Sequence, residues 1–410
     1  MAQEMSVRCC IAGGGPAGMM LGLLLARAGV DVLVLEKHGD FLRDFRGDTI
    51  HPSTLEVMHE LGLLAEFLER PHTEARVLGG QIGRDFVQVA DFGHLPTRCK
   101  FIALVPQWDF LDFLAGHARR CPGFKLLMRA EVKDLIRDGA GRVVGVRAGR
   151  PEGELRVRAD LVVGADGRHS TVRERAGLRV TELGAPIDVL WMRLSKRPGD
   201  LAQSLGRVDA GQVLVTIDRG DYWQCAYVIP KGGFEALRRG PVEAFRGRIA
   251  ELAPDLLDRV GELRSWDDVR LLTVAVNRLR RWHCPGLLCI GDAAHAMSPI
   301  GGVGINLAVQ DAVAAANVLA QALRDGRDTA PLLDAVQRRR AVPTRATQRL
   351  QVLLQARVLR PVLGSERRIT RLPRVFRLLR RYPALRRIPG RVIGMGFRPE
   401  HVRSPAAGSA

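Results

Sequence analysis

VRCCIAGGGPAGMMLGLLLARAGVDVLVLE, from Val7 to Glu36, reads as strand, glycine turn, helix and second strand. Val7 to Ala12 is an apolar run that stops at glycines, which suits a parallel strand buried on both faces. Ala17 to Ala28 is apolar nearly all round, Gly29 is a helix stop, and Val30 to Glu36 is apolar again. In this βαβ unit Gly13 permits the tight turn, Gly15 lets backbone approach a pyrophosphate, and Gly18 lets the helix pack closely. Pro16 and Ala17 open the helix, so its free amides and positive dipole end face the anion. Glu36, with Lys37 beside it, stands 18 residues after Gly18, at a strand end where a carboxylate accepts from ribose hydroxyls. A 2′-phosphate would be repelled there, so the site suits the AMP half of FAD or NAD rather than NADP.

Two later segments complete the pattern. GADGRHSTVR (Gly164 to Arg173) follows the apolar strand Ala159 to Val163, and GDAAHAMSPIGGVGIN (Gly291 to Asn306) follows Gly286 to Ile290. Asp166 at a strand end is placed to accept from ribityl or ribose hydroxyls, and Gly167 clears space. Asp292 is placed to hold a ribityl hydroxyl. Pro299, Gly301, Gly302 and Gly304 shape a loop that opens a helix at Ile305 and Asn306, so backbone amides approach a flat ring and a helix N-terminus stabilises negative charge on it. In this order and at these separations the three segments read as phosphate end, middle and flavin end of one extended FAD site.

The residues resemble the class A FAD-dependent aromatic hydroxylases of the p-hydroxybenzoate hydroxylase type, over roughly Val7 to Asp325. Arg46-Gly47-Asp48 through Leu61-Gly62 and Gln107 resemble that family too, which implies that Arg46 lies along the flavin and Gln107 against the cofactor. The resemblance implies an α/β fold: a Rossmann-like FAD-binding domain with an inserted, mostly antiparallel substrate sheet. It also implies a mechanism in which NADH or NADPH reduces FAD, O2 forms a C4a-(hydro)peroxyflavin, and one oxygen atom passes to an aromatic or polyketide-like ring. No second GxGxxG for nicotinamide is present, in keeping with a transiently docked reductant.

The pattern changes along the chain accordingly. Residues 1–180 and 277–335 read as the FAD-binding domain, 181–276 as the substrate domain with 75–105 lending it strands, and 336–410 as a basic helical C-terminal segment. Strand candidates in the insert include Gln212 to Ile217 and Tyr222 to Ile229, with a helix near Val242 to Leu252. Tyr222, Trp223, Tyr227 and His51 are the weak catalytic candidates: the aromatic residues because they fall in the substrate sheet, His51 because it lies near a flavin motif. No His or Cys spacing suits a metal.

Composition bounds the rest. At 410 residues with 46% hydrophobic residues the chain is globular. No apolar run reaches the length of a membrane helix, the N-terminal apolar run is broken by glycines, and seven cysteines form no CxxC, so the expectation is a cytoplasmic protein with reduced thiols. The net charge is +18, yet from Arg338 onward stand 19 arginines, no lysine and two acids, so the tail carries +17 and the body is nearly neutral. Nucleic acid is therefore not an expected partner; the expected ones are a small aromatic substrate and O2, acting on a monomer or homodimer, with the tail packing its apolar side on the FAD domain and weak membrane-surface or polyanion contact through it as a further reading. Two other activities stand beside hydroxylation. Flavin halogenases carry WxWxIP, whereas Cys225 to Pro230 keeps Ile-Pro without either tryptophan, which disfavours halogenation. Reduction of a lipid-like substrate, as in geranylgeranyl reductases, differs in proceeding without O2.

Overall fold

Strand β1 (Gln3–Ala12) is followed by α1 (Pro16–Arg27) and β2 (Val32–Leu35). Later come β3 (Phe124–Leu127), β4 (Gly153–Gly164) and β5 (Leu287–Cys289). All five are parallel neighbours in the order β3-β2-β1-β4-β5. The computed structural model describes residues 3–42, 49–200, 205–365 and 367–407; Arg46, with its neighbours Gly47 and Asp48, lies outside them. β1 begins at Gln3, ahead of the apolar run, because it pairs with β4 along its whole length, from Gln3↔Leu155 to Ala12↔Gly164. Continuous apolar sequence is what a strand covered on both faces requires. α1, the helix Gln107–Arg119 and helix α2 (Gly304–Arg324) supply much of the cover, with Leu21, Leu24, Phe110, Phe113, Val309 and Val313 in one core. Residues 300–324 are long and apolar enough to cross a membrane, but 78% of their most apolar window is buried in this core.

The second sheet has seven strands, in the order Arg270–Leu272, Ile187–Ser195, Tyr222–Pro230, Gln212–Asp218, Leu205–Asp209, Val77–Ile82 and Asp85–Asp91. Strands 77–82 and 85–91 join through a parallel pairing of Gly80 with Gly206. One face of this sheet, carrying Leu190, Met192, Trp223, Cys225 and Tyr227, packs on the helical segments of residues 234–263. The other, carrying Val189, Val213, Ala226 and Val228, looks toward Ile300 and toward Val352 and Leu359 of the C-terminal helices.

The tail folds onto both units. Helix α3 (Ala330–Leu354) runs against α2 and continues helically to Leu363. Beyond it, α4 (Arg374–Arg381) and α5 (Arg387–Gly394) rest on the sheet edge at Asp85–Asp91. Phe376 of α4 and Leu372 just before it meet Ile82 and Val87. All seven cysteines are free thiols, and burial pushes the Cys10 thiol up to about 12.

Candidate FAD and substrate site

Strand register brings the three glycine-rich segments together. Ala12 pairs with Gly164 and Gly164 with Cys289, so Gly13, Ala165 and Ile290 leave adjacent strands at one edge. Backbone bonds continue past the strands, from Ala165 N to Ala12 O at 2.8 Å and from Ile290 N to Gly164 O at 2.9 Å. This edge is the carboxyl end of the sheet, where open α/β folds bind ligands. Gly13 has φ +105° and lies so close to Ala165 that an added Cβ would be 2.4 Å from its carbonyl oxygen. A Cβ at Gly291 would sit 3.0 Å from that of Ala17, so the first turn of α1 meets the third segment.

At the adenosine end, Glu36 is buried and its two oxygens accept from Gly14 N at 2.8 Å and His38 N at 3.0 Å. Lys37 is exposed just beyond it. α1 has Pro16 in its first turn and no acidic residue there, which leaves its amino end positive.

FAD fits this edge. A Cβ added at Gly15, Gly167 or Gly304 would meet nothing within 4 Å, so each of these glycines faces open space. Asp292 is half-buried and has no hydrogen-bond or ion-pair partner among the described residues, although it lies in the middle of the assembled segments. Gln107 opens its helix half-buried and is similarly unengaged. Asp166 is more committed: it accepts from Ser170 Oγ and, at 3.0 Å, from Val172 N, while burial raises its pKa. Arg173 ties the second segment to the third by donating to Arg168 O at 2.7 Å and Ala293 O at 3.2 Å.

At the flavin end, Pro299 leads into Gly301 (φ +79°) and Gly302 (φ +63°), after which Gly304 and Ile305 open α2. A side chain at Gly302 would collide with Thr49 Oγ1, which donates to Gly302 O at 2.9 Å. Asn306 spends its carboxamide on protein. Its Oδ1 accepts from His51 N at 2.9 Å and Thr54 Oγ1 at 2.7 Å, and its Nδ2 donates to Thr49 O and Gly302 O. Any contact it makes with flavin is therefore through backbone.

Sheet parity separates the aromatic candidates. Trp223 and Tyr227 lie on the face turned toward the helices of 234–263, away from Ile300, and are not brought to the cofactor edge. Trp223 Nε1 donates to Asp200 at 3.0 Å, and the Tyr227 hydroxyl donates to Gln212 at 3.0 Å while its ring packs edge-on against Phe245. Both are core residues. Tyr227→Phe should leave kcat unchanged and cost about 1 kcal/mol of stability, the usual worth of one hydrogen bond, as read by denaturant unfolding. Tyr222 lies on the face toward Ile300, at the end of its strand, with Arg193 3.8 Å over its ring.

His51 is fully buried, and its Nδ1 donates to Ile393 O at 2.7 Å, so it is a tie to α5. Burial lowers its pKa from 6.5 to about 4. The unfolded chain thus takes up a proton at this residue before the folded one does. The stability this histidine contributes is complete above pH 6.5 and declines as pH falls toward 4, a loss of about 3 kcal/mol over that window. Thermal unfolding across this range should show the decline, and His51→Asn should flatten it.

Three features of the site were not legible in the motifs. Gln348, Gln351 and Gln355 form a ladder on one face of α3 and its continuation. Their amides donate to Asn277 O and Ala296 O, to Ser298 O and Ile300 O, and to Ser298 Oγ, all within 2.7–3.1 Å. This ladder holds the backbone leading into the flavin-end loop, and the 3-then-4 spacing of the glutamines was its signal. Behind the loop, Asp311 accepts from Gly291 N at 3.1 Å, His295 Nε2 at 2.6 Å and Arg340 Nε at 2.9 Å, every side chain buried. Burial alone would raise the Asp311 pKa, but His295 and Arg340 outweigh it and keep the carboxyl below its ordinary value. The third is Arg219, which donates to Gln224 at 3.2 Å; on Asp109, two residues after Gln107, burial raises the carboxyl's pKa against the opposing charges of Arg70 and Arg219.

A family model described as FAD binding domain matches residues 6–350. The chain is 36% identical to 6-methylpretetramide 4-monooxygenase of Streptomyces rimosus, over 96% of this chain and 94% of that protein. It is 30% identical to rifampicin monooxygenase of Streptomyces venezuelae, over 74% of this chain but only 61% of that longer protein. Among solved structures, Pseudomonas aeruginosa PqsL in complex with 2-aminobenzoylacetate superposes with a TM-score of 0.76 at 23% identity, covering 88% of this chain and 98% of that one. The chain belongs to the FAD-binding family of aromatic-compound monooxygenases. It is an FAD-dependent monooxygenase.

Proposed function

We propose that this monooxygenase hydroxylates an electron-rich aromatic or polyketide-like ring, with O2 as oxygen source and NADH or NADPH as a transiently docked reductant. The observation that carries the reading is the facing arrangement of the glycine loop at Ile300–Gly304 and an apolar sheet face bearing Val189, Val213, Ala226 and Val228. A flat apolar ring held between them would be shielded from water. Bound FAD would supply the hydride acceptance and oxygen activation that side chains cannot. In this reading Gly13, Gly15, Pro16, Ala17 and Gly18 seat the pyrophosphate, Glu36 holds the adenosine ribose, and Asp292, with Asp166, Gly167, Gln107 and Arg46, holds the ribityl and flavin. The amides of Gly304, Ile305 and Asn306 at the amino end of α2 would stabilise negative charge on a bound flavin, and the glutamine ladder keeps that loop in place. Two named relatives act on polyketide-derived compounds, 6-methylpretetramide and rifampicin, which supports the substrate class.

The test is oxidation of NADH and NADPH, with O2 uptake, by the purified flavoprotein against phenols and polycyclic aromatic polyketides. Substrate-dependent consumption of both, with a product one oxygen atom heavier, is expected. Substrate turnover that continues anaerobically would transfer the reading to a reductase.

A further inference from the structure

The arginine-rich tail does two things at once. Its inward side packs, with Leu372 buried and Phe376 partly buried against Ile82 and Val87. Arg380 pairs with Asp85 at 2.8 Å and Arg386, between α4 and α5, donates to Gln88 at 2.6 Å, so α4 and the turn after it are tied to the sheet edge. Its outward side is unusual for a water-facing helix. Val375, Leu378 and Tyr382, spaced three and four residues apart along α4 and its cap, are 54%, 49% and 53% exposed, and Ile388 at the start of α5 is 64% exposed. Arg374, Arg377 and Arg381 run one residue behind this stripe at the same spacing, so a row of cations lies alongside a row of apolar side chains. The side chains of Arg371, Arg374, Arg377 and Arg387 make no ion pair or hydrogen bond with described residues.

We propose that this surface, α4 with the first turn of α5, docks on an anionic lipid bilayer. Both halves of the pattern are needed for that partner. Unpaired guanidiniums match lipid phosphates, and four exposed apolar side chains have a place to go only where hydrocarbon lies under the headgroups. Phosphate polymers would satisfy the arginines and leave the apolar row in water. A second copy of this chain, paired face to face, would set arginine row against arginine row. α4 is already held on the sheet edge by Leu372, Phe376 and Arg380, so docking requires no folding step. The surface draws on none of the cofactor segments and is independent of the hydroxylation reading.

The experiment is co-sedimentation of the full-length, FAD-loaded protein with phosphatidylcholine vesicles, with and without phosphatidylglycerol, at low and high salt. Binding to the anionic vesicles should exceed binding to the neutral ones by about a hundredfold, from about three arginines engaged near the surface. A Val375→Ser, Leu378→Ser, Ile388→Ser triple variant should lose at least about tenfold in binding to anionic vesicles, as should Arg374→Gln with Arg377→Gln. All of these side chains are exposed, so retained flavin absorbance confirms that each variant is folded. Equal binding to both vesicle types overturns the proposal. So does a serine variant that binds anionic vesicles like wild type, which would identify the surface as a polyanion site. A wild-type dimer that the serine variant converts to monomer, without vesicle binding, also overturns it.

Discussion

Gly18→Ala is expected to abolish retention of FAD. A Cβ built at Gly18 lies 1.9 Å from the carbonyl oxygen of Gly13 and 3.2 Å from Ile11 Cγ2. The first is a backbone atom in a turn that is itself pinned, since Gly13 N donates to Leu35 O at 2.8 Å. Either α1 must shift along its axis or the turn must open, and both move the free amides away from the pyrophosphate. Relief of such overpacking costs about 3 kcal/mol, and if it falls on the bound geometry the FAD affinity drops by about a hundredfold. Gly116→Ala is the matched control. It lies in the helix Gln107–Arg119, its added Cβ would meet nothing within 4 Å, and it should purify with a full complement of flavin. Absorbance near the flavin band and calorimetric titration of the apoprotein with FAD measure both. A yellow Gly18→Ala protein with wild-type affinity would show that close helix packing is not what the site needs.

Asp311→Ala should be the most destabilising single substitution outside the glycine turn. The carboxylate is the shared partner of His295, Arg340 and the Gly291 amide, and Arg340 also lies 3.7 Å from Glu400 in the tail. Removing it leaves a buried guanidinium with only the more distant Glu400 for a carboxylate partner, at a cost of about 3–5 kcal/mol. For a protein of this size that is a drop in Tm of about 4–6 °C. Asp311→Leu combined with Arg340→Met removes both charges and should recover most of the loss, because an apolar pair of similar volume carries no desolvation cost. Differential scanning calorimetry of Asp311→Leu, Arg340→Met and the double closes the cycle. If the double is no more stable than Asp311→Ala, the pairing with Arg340 is not the source of the effect. FAD affinity should fall as well in Asp311→Ala, since Gly291 begins the segment that carries Asp292.

The legible and the hidden parts of this protein differ in physical kind. Gly13 and Gly302 were legible because their positions demand a backbone conformation or closeness that other residues resist. The strands around Val7 to Ala12 and Ala159 to Val163 were legible because a strand buried on both faces must be apolar throughout. Trp223 and Tyr227 were misread as candidates because residue type says nothing about which face of a sheet a residue occupies; the register of Leu190 with Tyr227 settles that. Asn306 was singled out as a cofactor contact, whereas its side chain serves the loop at Thr49 to Thr54 and not open space. The tail was legible as basic and helical, but not the division of α4 into a packed side and an exposed one.

Short-range chemistry in the chain was enough to determine the βαβ unit, the order of the three glycine-rich segments and the cofactor they suit, because turn conformations and helix starts depend on neighbours within a few residues. The tertiary structure alone decided what meets across the fold. It set Gly13, Ala165 and Ile290 side by side, tied Asp311 to Arg340, and turned one apolar face of the seven-stranded sheet toward Ile300. Those contacts join residues far apart in sequence through strand register and helix packing, and neither leaves a local trace beyond spacing such as that of Gln348, Gln351 and Gln355.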